Sequence, residues 1–172
     1  MPEGAGTRHY CFGCGARNPH GLKLDFRIED QRAVAEFQPR AEHQGYPGLV
    51  HGGLIATALD EAMGWAMYTL GVWAVTGKME VKYRQSLPLD AKATVSGEVV
   101  RNRGRWLEVR GEVRGAGGKL IAESHGLFMR LPKERVAEME RVYLGEGQGS
   151  RAKTYPHDPR PVTHDPQRRT GR

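Results

Sequence analysis

Residues 21–28 (GLKLDFRI) and 33–37 (AVAEF) alternate apolar and polar positions. This is the period-two pattern of half-buried strands, with a turn predicted over 29–32. A loop rich in Gly and Pro occupies 39–50. Residues 54–70 then read LIATALDEAMGWAMYTL, apolar around nearly the whole circumference, which predicts a buried helix. The period returns to two where Met79, Val81, Tyr83 and Leu87 alternate with Glu80, Lys82, Arg84 and Ser86, and Pro88 ends that run. Strand patterns follow at 91–101, 106–114 and 119–131, joined by turns at 103–105 and 115–118. Consecutive hairpins of this kind pair antiparallel. Residues 132–143 predict a short amphipathic helix with Val136, Met139, Val142 and Tyr143 on one face. One buried helix and one antiparallel sheet make an α+β layer with the helix covering a face of the sheet.

Length adds a prior of one domain with appendages, because the chain has 172 residues. The expected division is a lead-in at 1–20 carrying a CxxC, a main domain at 21–131, a short helix at 132–145 and a basic, disordered tail at 146–172. Hydrophobic residues make up 38%, charged residues 27%, and the mean hydropathy is −0.60. No apolar run approaches the ~20 residues of a spanning helix. The first ten residues hold no apolar signal-peptide core, and two cysteines cannot make a disulfide framework, so a cytoplasmic setting is expected. The net charge of +6 admits nucleic acid, an anionic membrane or a phosphate-bearing ligand. Its distribution narrows the choice. Residues 146–172 carry six basic and three acidic side chains together with Pro156, Pro159, Pro161 and Pro166, a composition unable to bury enough apolar surface to order itself. With half of the excess on that tail, neither a nucleic-acid nor a membrane partner is expected.

Candidate chemistry gathers at the start of the long helix. His51, Gly52 and Gly53 stand at its N-terminus, where uncovered backbone N–H groups and the helix dipole favour a developing oxyanion. A plain Gly-rich cap accounts for the same residues. Asp60 tips the balance, since an ionised carboxylate in an apolar helix is costly unless paired or functional. Seven residues after Gly53, it projects from the same face, beside the small residues Ala56, Thr57 and Gly64. Glu61, about 100° away, is expected at an edge or in a salt bridge. Gly53 and Asp60 lie ~10 Å apart along the axis, too far to act on one carbonyl from one helix. Two helices packed antiparallel across a two-fold would bring Gly53 of one subunit beside Asp60 of the other.

The HGG at 51–53, Asp60 nine positions after its His, the long apolar helix and four following strands resemble the hotdog-fold acyl-CoA thioesterases, as does the lead-in CFGCG with Asn18-Pro19-His20-Gly21-Leu22. The similarity extends over about residues 11–131, to the HGG-type phenylacetate-pathway and mitochondrial thioesterase-superfamily branches. The resemblance implies a hotdog fold, a long central helix wrapped by a curved antiparallel β-sheet, assembled as a homodimer or dimer of dimers. It further implies acyl-CoA hydrolysis, with Asp60 as general base or nucleophile, the Gly53 amide as carbonyl donor, His51 lining the reacting centre and Thr76 placing water or carboxylate. Lys82, Arg84, Arg103 and Arg105 match positions facing coenzyme A. No cofactor is implied beyond coenzyme A as part of the substrate. Many relatives carry Asn six residues before the HGG His; here that position is Gly45, so water placement falls to Thr76, His51 or His43.

Two other activities fit the same fold: a non-catalytic acyl-CoA binding or regulatory module, and a hydratase or dehydratase. The latter uses a His/acid pair on the helix, and no His follows His51 there. Cys11 and Cys14, flanked by His9 and His20, offer four N/S ligands for Zn²⁺. The spacing is compact and no second CxxC supports it, so a reduced structural turn is expected and no metal assigned. His125 follows Ser124 directly, and neighbours on a strand point apart, which removes a triad reading. Trp65, Met67, Tyr68, Trp73 and Met79 are candidates to line an acyl pocket.

Overall fold

The computed structural model describes residues 9–143; the predicted tail at 146–172 lies outside them. Six strands form one antiparallel sheet: β1 (Arg27–Glu29), β2 (Arg32–Phe37), β3 (Ala74–Tyr83), β4 (Ala93–Arg103), β5 (Trp106–Arg114) and β6 (Leu120–Arg130), in the spatial order β1-β2-β4-β5-β6-β3. Between β2 and β3 the chain forms α1 (Gly52–Tyr68), and α2 (Lys133–Tyr143) follows β6. The architecture is thus the α+β arrangement expected: a long helix against one antiparallel sheet.

α1 buries Ile55, Ala58, Leu59, Ala62, Met63, Ala66 and Met67. They face Val95, Leu107, Val109, Val113 and Phe128 of the sheet in a single core. A row of small residues lets the helix come close. Gly97 of β4 pairs with Gly111 of β5, and Gly111 with Ser124 of β6. A Cβ on Gly97 would stand 2.2 Å from the Ala62 carbonyl oxygen, and one on Gly111 3.2 Å from a Leu59 methyl. Close packing of this density leaves no room for an added methyl.

Two strand expectations need correction. The alternation at 21–28 reports burial correctly, Leu22 and Leu24 each being 2% exposed, but only Arg27–Glu29 joins the sheet. Leu22 N–H instead donates to the Phe12 carbonyl (2.7 Å) and Leu24 N–H to the Gly13 carbonyl (3.0 Å). Lys23 adopts φ 60°, a left-handed conformation incompatible with a strand ladder. The segment therefore pairs with the CxxC loop. The strand predicted from Met79 begins at Ala74, so Thr76 lies within it, and it ends at Tyr83. Beyond Tyr83 the amides of Arg84 and Gln85 both donate to the single Ile121 carbonyl, which breaks the ladder. β3 is an edge strand, paired with β6 on one side.

Candidate active site

His51 caps α1. Its Nδ1 accepts the Gly53 N–H at 2.9 Å, in the manner of a side-chain N-cap. The amide expected to meet a thioester carbonyl is therefore held by the cap in the free protein, and a substrate oxygen there must share it or displace the imidazole. Gly45 explains why the cap can sit so close: a Cβ on it would stand 2.9 Å from the His51 Cα and 3.2 Å from its Cβ. A side chain at this position would push His51 away, so the missing Asn and the placement of His51 are linked. His43 is buried, its Nδ1 accepting the Arg40 N–H at 3.1 Å. Burial pushes its pKa down, and it belongs to the core turn beside Phe37.

Tyr83, not among the expected site residues, joins this end of the site. Its hydroxyl donates to the Gly52 carbonyl at 2.9 Å, tying the end of β3 to the first turn of α1. The alternation of β3 marked Tyr83 only as an apolar position, so nothing in the pattern signalled its hydroxyl.

Two turns along α1, Asp60 is half-buried and accepts the Thr76 hydroxyl at 2.6 Å. The two are sixteen residues apart and meet because β3 starts beside the middle of the helix. Gly64, one turn further on the same face, has no atom within 4 Å of where its Cβ would be. The stripe of small residues around Asp60 is thus open, not covered by this chain's own sheet.

The four cations divide. Lys82 pairs with Glu123 in register, and Arg84 binds the same carboxylate through Nε at 3.0 Å, which holds Glu123 below the usual carboxylate range. Arg103 and Arg105 flank the β4–β5 turn, where Arg103 faces Glu108 at 4.0 Å. That turn sits by the start of β3: Val75 and Trp106 both pair with Met129, and a Cβ on Gly77 would be 3.2 Å from the Trp106 ring. Thr76 and Tyr83 are about 23 Å apart along the strand at ~3.3 Å per residue. Within one chain, then, His51, Gly53, Tyr83, Lys82 and Arg84 gather at one end of β3. Asp60, Thr76, Arg103 and Arg105 gather at the other. A cavity lined by Asp30, Arg32, Thr69, Leu70, Glu98 and Arg101 among others contains no candidate residue.

Glu61 departs from expectation. It forms no ion pair among the described residues; Oε2 lies 3.2 Å from the Cys11 sulfur and Oε1 accepts the Trp65 indole N–H at 3.2 Å. Burial raises its pKa to about 7. Trp65 stacks on Phe26 and neighbours Tyr68, which meets Trp73 edge-on, so three of the proposed acyl-pocket residues form an aromatic row. Met67 is instead part of the core. Ser124 is buried against the Met63 sulfur while His125 is exposed, as strand alternation requires.

Residues 47–122 match the family described as the thioesterase superfamily. The chain is 34% identical over 107 residues to acyl-coenzyme A thioesterase THEM4 of Mus musculus, a match spanning 62% of this chain and 46% of that protein. The chain spans about half the length of the curated relatives it matches. Among solved structures, the phenylacetic acid degradation protein PaaI of Thermus thermophilus superposes with a TM-score of 0.59 at 30% identity, covering 64% of this chain and 95% of that one. A thioesterase superfamily protein of known crystal structure gives a TM-score of 0.64 at 28% identity, covering 67% of this chain and 60% of that one. Sequence, fold and the HGG–Asp60 frame agree, and the chain belongs to the thioesterase superfamily.

Proposed function

We propose that this protein hydrolyses an acyl-CoA thioester at two equivalent sites, each built from both subunits of a homodimer. The observation that carries the reading is the separation of the candidate residues to opposite ends of the edge strand β3. Antiparallel pairing of β3 with a second copy, centred near Met79 and Glu80, sets Thr76 of one subunit opposite Tyr83 of the other. It also lays the two open small-residue stripes of α1 against each other. The Gly53 amide of one subunit then meets Asp60 and Thr76 of its partner, and Lys82 and Arg84 meet the partner's Arg103–Arg105 turn.

In this arrangement the thioester carbonyl accepts from the Gly53 N–H, once His51 yields it. Asp60, oriented by Thr76, takes a proton from water as the water oxygen adds to the carbonyl carbon. The tetrahedral intermediate collapses with departure of the CoA sulfur, which receives that proton and leaves as the thiol. In the nucleophilic alternative the Asp60 carboxylate adds to the carbonyl carbon and expels the CoA thiolate. Water then hydrolyses the resulting anhydride, releasing the acid and restoring the carboxylate, and one of the protons set free goes to the thiolate. The Lys and Arg side chains suit the pyrophosphate and 3′-phosphate of coenzyme A.

The test combines turnover with subunit complementation. Short, long and aryl acyl-CoAs are screened for release of free thiol, which rises with enzyme and is lost in Asp60→Asn. Binding of acyl-CoA without thiol release would favour the non-catalytic module and overturn the reading. Gly53→Pro deletes the amide hydrogen in the first turn of α1, and with it the His51 cap bond. Co-expressed with Asp60→Ala, it restores about a quarter of wild-type activity, because half of the dimers are mixed and each mixed dimer has one intact site. No restoration would place the whole site within one chain.

A further inference from the structure

The CxxC of the lead-in sits outside the proposed hydrolytic site, yet it is built with care. Cys11, Cys14 and Glu61 place one ligand atom each within 4.8 Å of one another, and His9 Nε2 lies 4.0 Å from the Cys14 sulfur. The corners of a tetrahedral Zn²⁺ site with Zn–S bonds of ~2.3 Å are about 3.8 Å apart; the Cys11 sulfur and Glu61 Oε2 are 3.2 Å apart here. We propose that Cys11, Cys14 and Glu61, with solvent as the fourth ligand, bind a Zn²⁺ that fastens the N-terminal lead-in to α1; His9, whose Nδ1 accepts the Cys11 N–H at 3.3 Å, lies beside the site.

The surroundings fit a metal better than a plain turn. Gly15 N–H closes the loop on the Cys11 carbonyl at 3.0 Å, and a Cβ on Gly15 would stand 2.5 Å from the Cys11 backbone. A Cβ on Gly13 would stand 2.4 Å from Glu61 Oε2, so glycine there is what admits the carboxylate. The Trp65 indole orients the second oxygen of Glu61 at 3.2 Å, the outer-shell bond that ligating carboxylates usually have. Lys23, the nearby cation, spends its ammonium on the Gly15 and Ala16 carbonyls. The half-buried Glu61 carboxylate lies beside two thiols and forms no ion pair among the described residues, and a divalent ion would supply positive charge there. Two soft thiolates with one carboxylate select Zn²⁺ over oxygen-seeking cations. The thiols release their protons to solvent on binding. His20 does not take part: it is exposed, its amide bound to Asn18 Oδ1.

The full chain, purified without chelator or a metal-affinity step, is analysed for zinc, then stripped and titrated with Zn²⁺ and with Co²⁺. Stoichiometric zinc is expected, with thiolate-to-metal charge-transfer bands in the Co²⁺ form. Cys11→Ser combined with Cys14→Ser abolishes binding, and Glu61→Gln weakens it by about tenfold or more. Should the double variant fail to fold, the Co²⁺ titration of the wild-type chain still decides. Absence of stoichiometric zinc after reconstitution, Co²⁺ spectra without thiolate bands, or undiminished zinc in a folded double variant would each overturn the proposal. So would a Cys11–Cys14 disulfide that forms equally fast with Zn²⁺ present.

Discussion

Asp60 and Glu61 are adjacent carboxylates on one helix, and their surroundings have little in common. Asp60 faces an open stripe of small residues and accepts one hydroxyl, from Thr76. Glu61 points to the far side, where the lead-in buries it against Cys11 and Trp65 and raises its pKa to about 7. A rotation of about 100° along one helix thus separates a carboxylate left available for chemistry from one enclosed by a cluster of metal-ligating groups. What distinguishes them is the element that packs against each face: the edge strand β3 for Asp60, the CxxC loop for Glu61.

The sharpest way to break this comparison is Asp60→Ala, expected to lower kcat for acyl-CoA hydrolysis by about 10²–10⁴-fold, the usual contribution of a positioned acid or base. Glu61→Gln should act chiefly on thermal stability, with a far smaller change in kcat; comparable losses of kcat would erase the distinction. Thr76→Val keeps the strand and deletes the hydroxyl. Loss of a hydrogen bond to a charged group, worth about 1.5–3 kcal/mol, should lower kcat by about tenfold to a hundredfold if Thr76 orients Asp60, and leave it unmoved otherwise.

Both carboxylates depend on how closely α1 lies on the sheet. Gly97→Ala forces the helix outward at Ala62, which follows Glu61 directly, and should cost about 1–3 kcal/mol, read as a lowered urea midpoint. His51→Ala separates the two roles of the helix start. It should cost about 0.5–2 kcal/mol through the lost cap while freeing the Gly53 amide, so a fall in KM with a lowered Tm would show that the cap competes with substrate. The smallest effect concerns His43, whose pKa burial depresses. The unfolded chain takes up this proton near its ordinary value of 6.5, and the folded chain only at lower pH. Stability contributed by neutral His43 is therefore complete above about pH 6.5 and declines as pH falls below 6.5. His43→Gln should flatten this part of the urea-midpoint profile.

Much of this was legible in the amino-acid order. Period-two alternation marked β4, β5 and β6 nearly to the residue, since hairpin neighbours bury one face and are joined by short turns. The apolar circumference of α1 made Asp60 conspicuous as the charge out of place. The alternation at 21–28 identified Leu22 and Leu24 as buried but assigned them to the wrong partner, because periodicity reports which side is buried and not what covers it. Thr76 fell outside the predicted strand because its neighbours Val75 and Gly77 do not alternate cleanly, and the structure has a register shift between Thr76 and Lys78.

By itself, then, the sequence determined the α+β class, the helix that carries the chemistry, the family and the candidate carboxylate, all of which rest on spacing within a few turns or one hairpin. The tertiary structure decided what lies beside each of them. It put Gly53 and Asp60 at opposite ends of an unpaired strand edge, gave the Gly53 amide to His51, and brought Glu61 to a cysteine fifty residues away. Such pairings depend on how separate elements pack, and local periodicity carries no information about packing between segments so far apart in the chain.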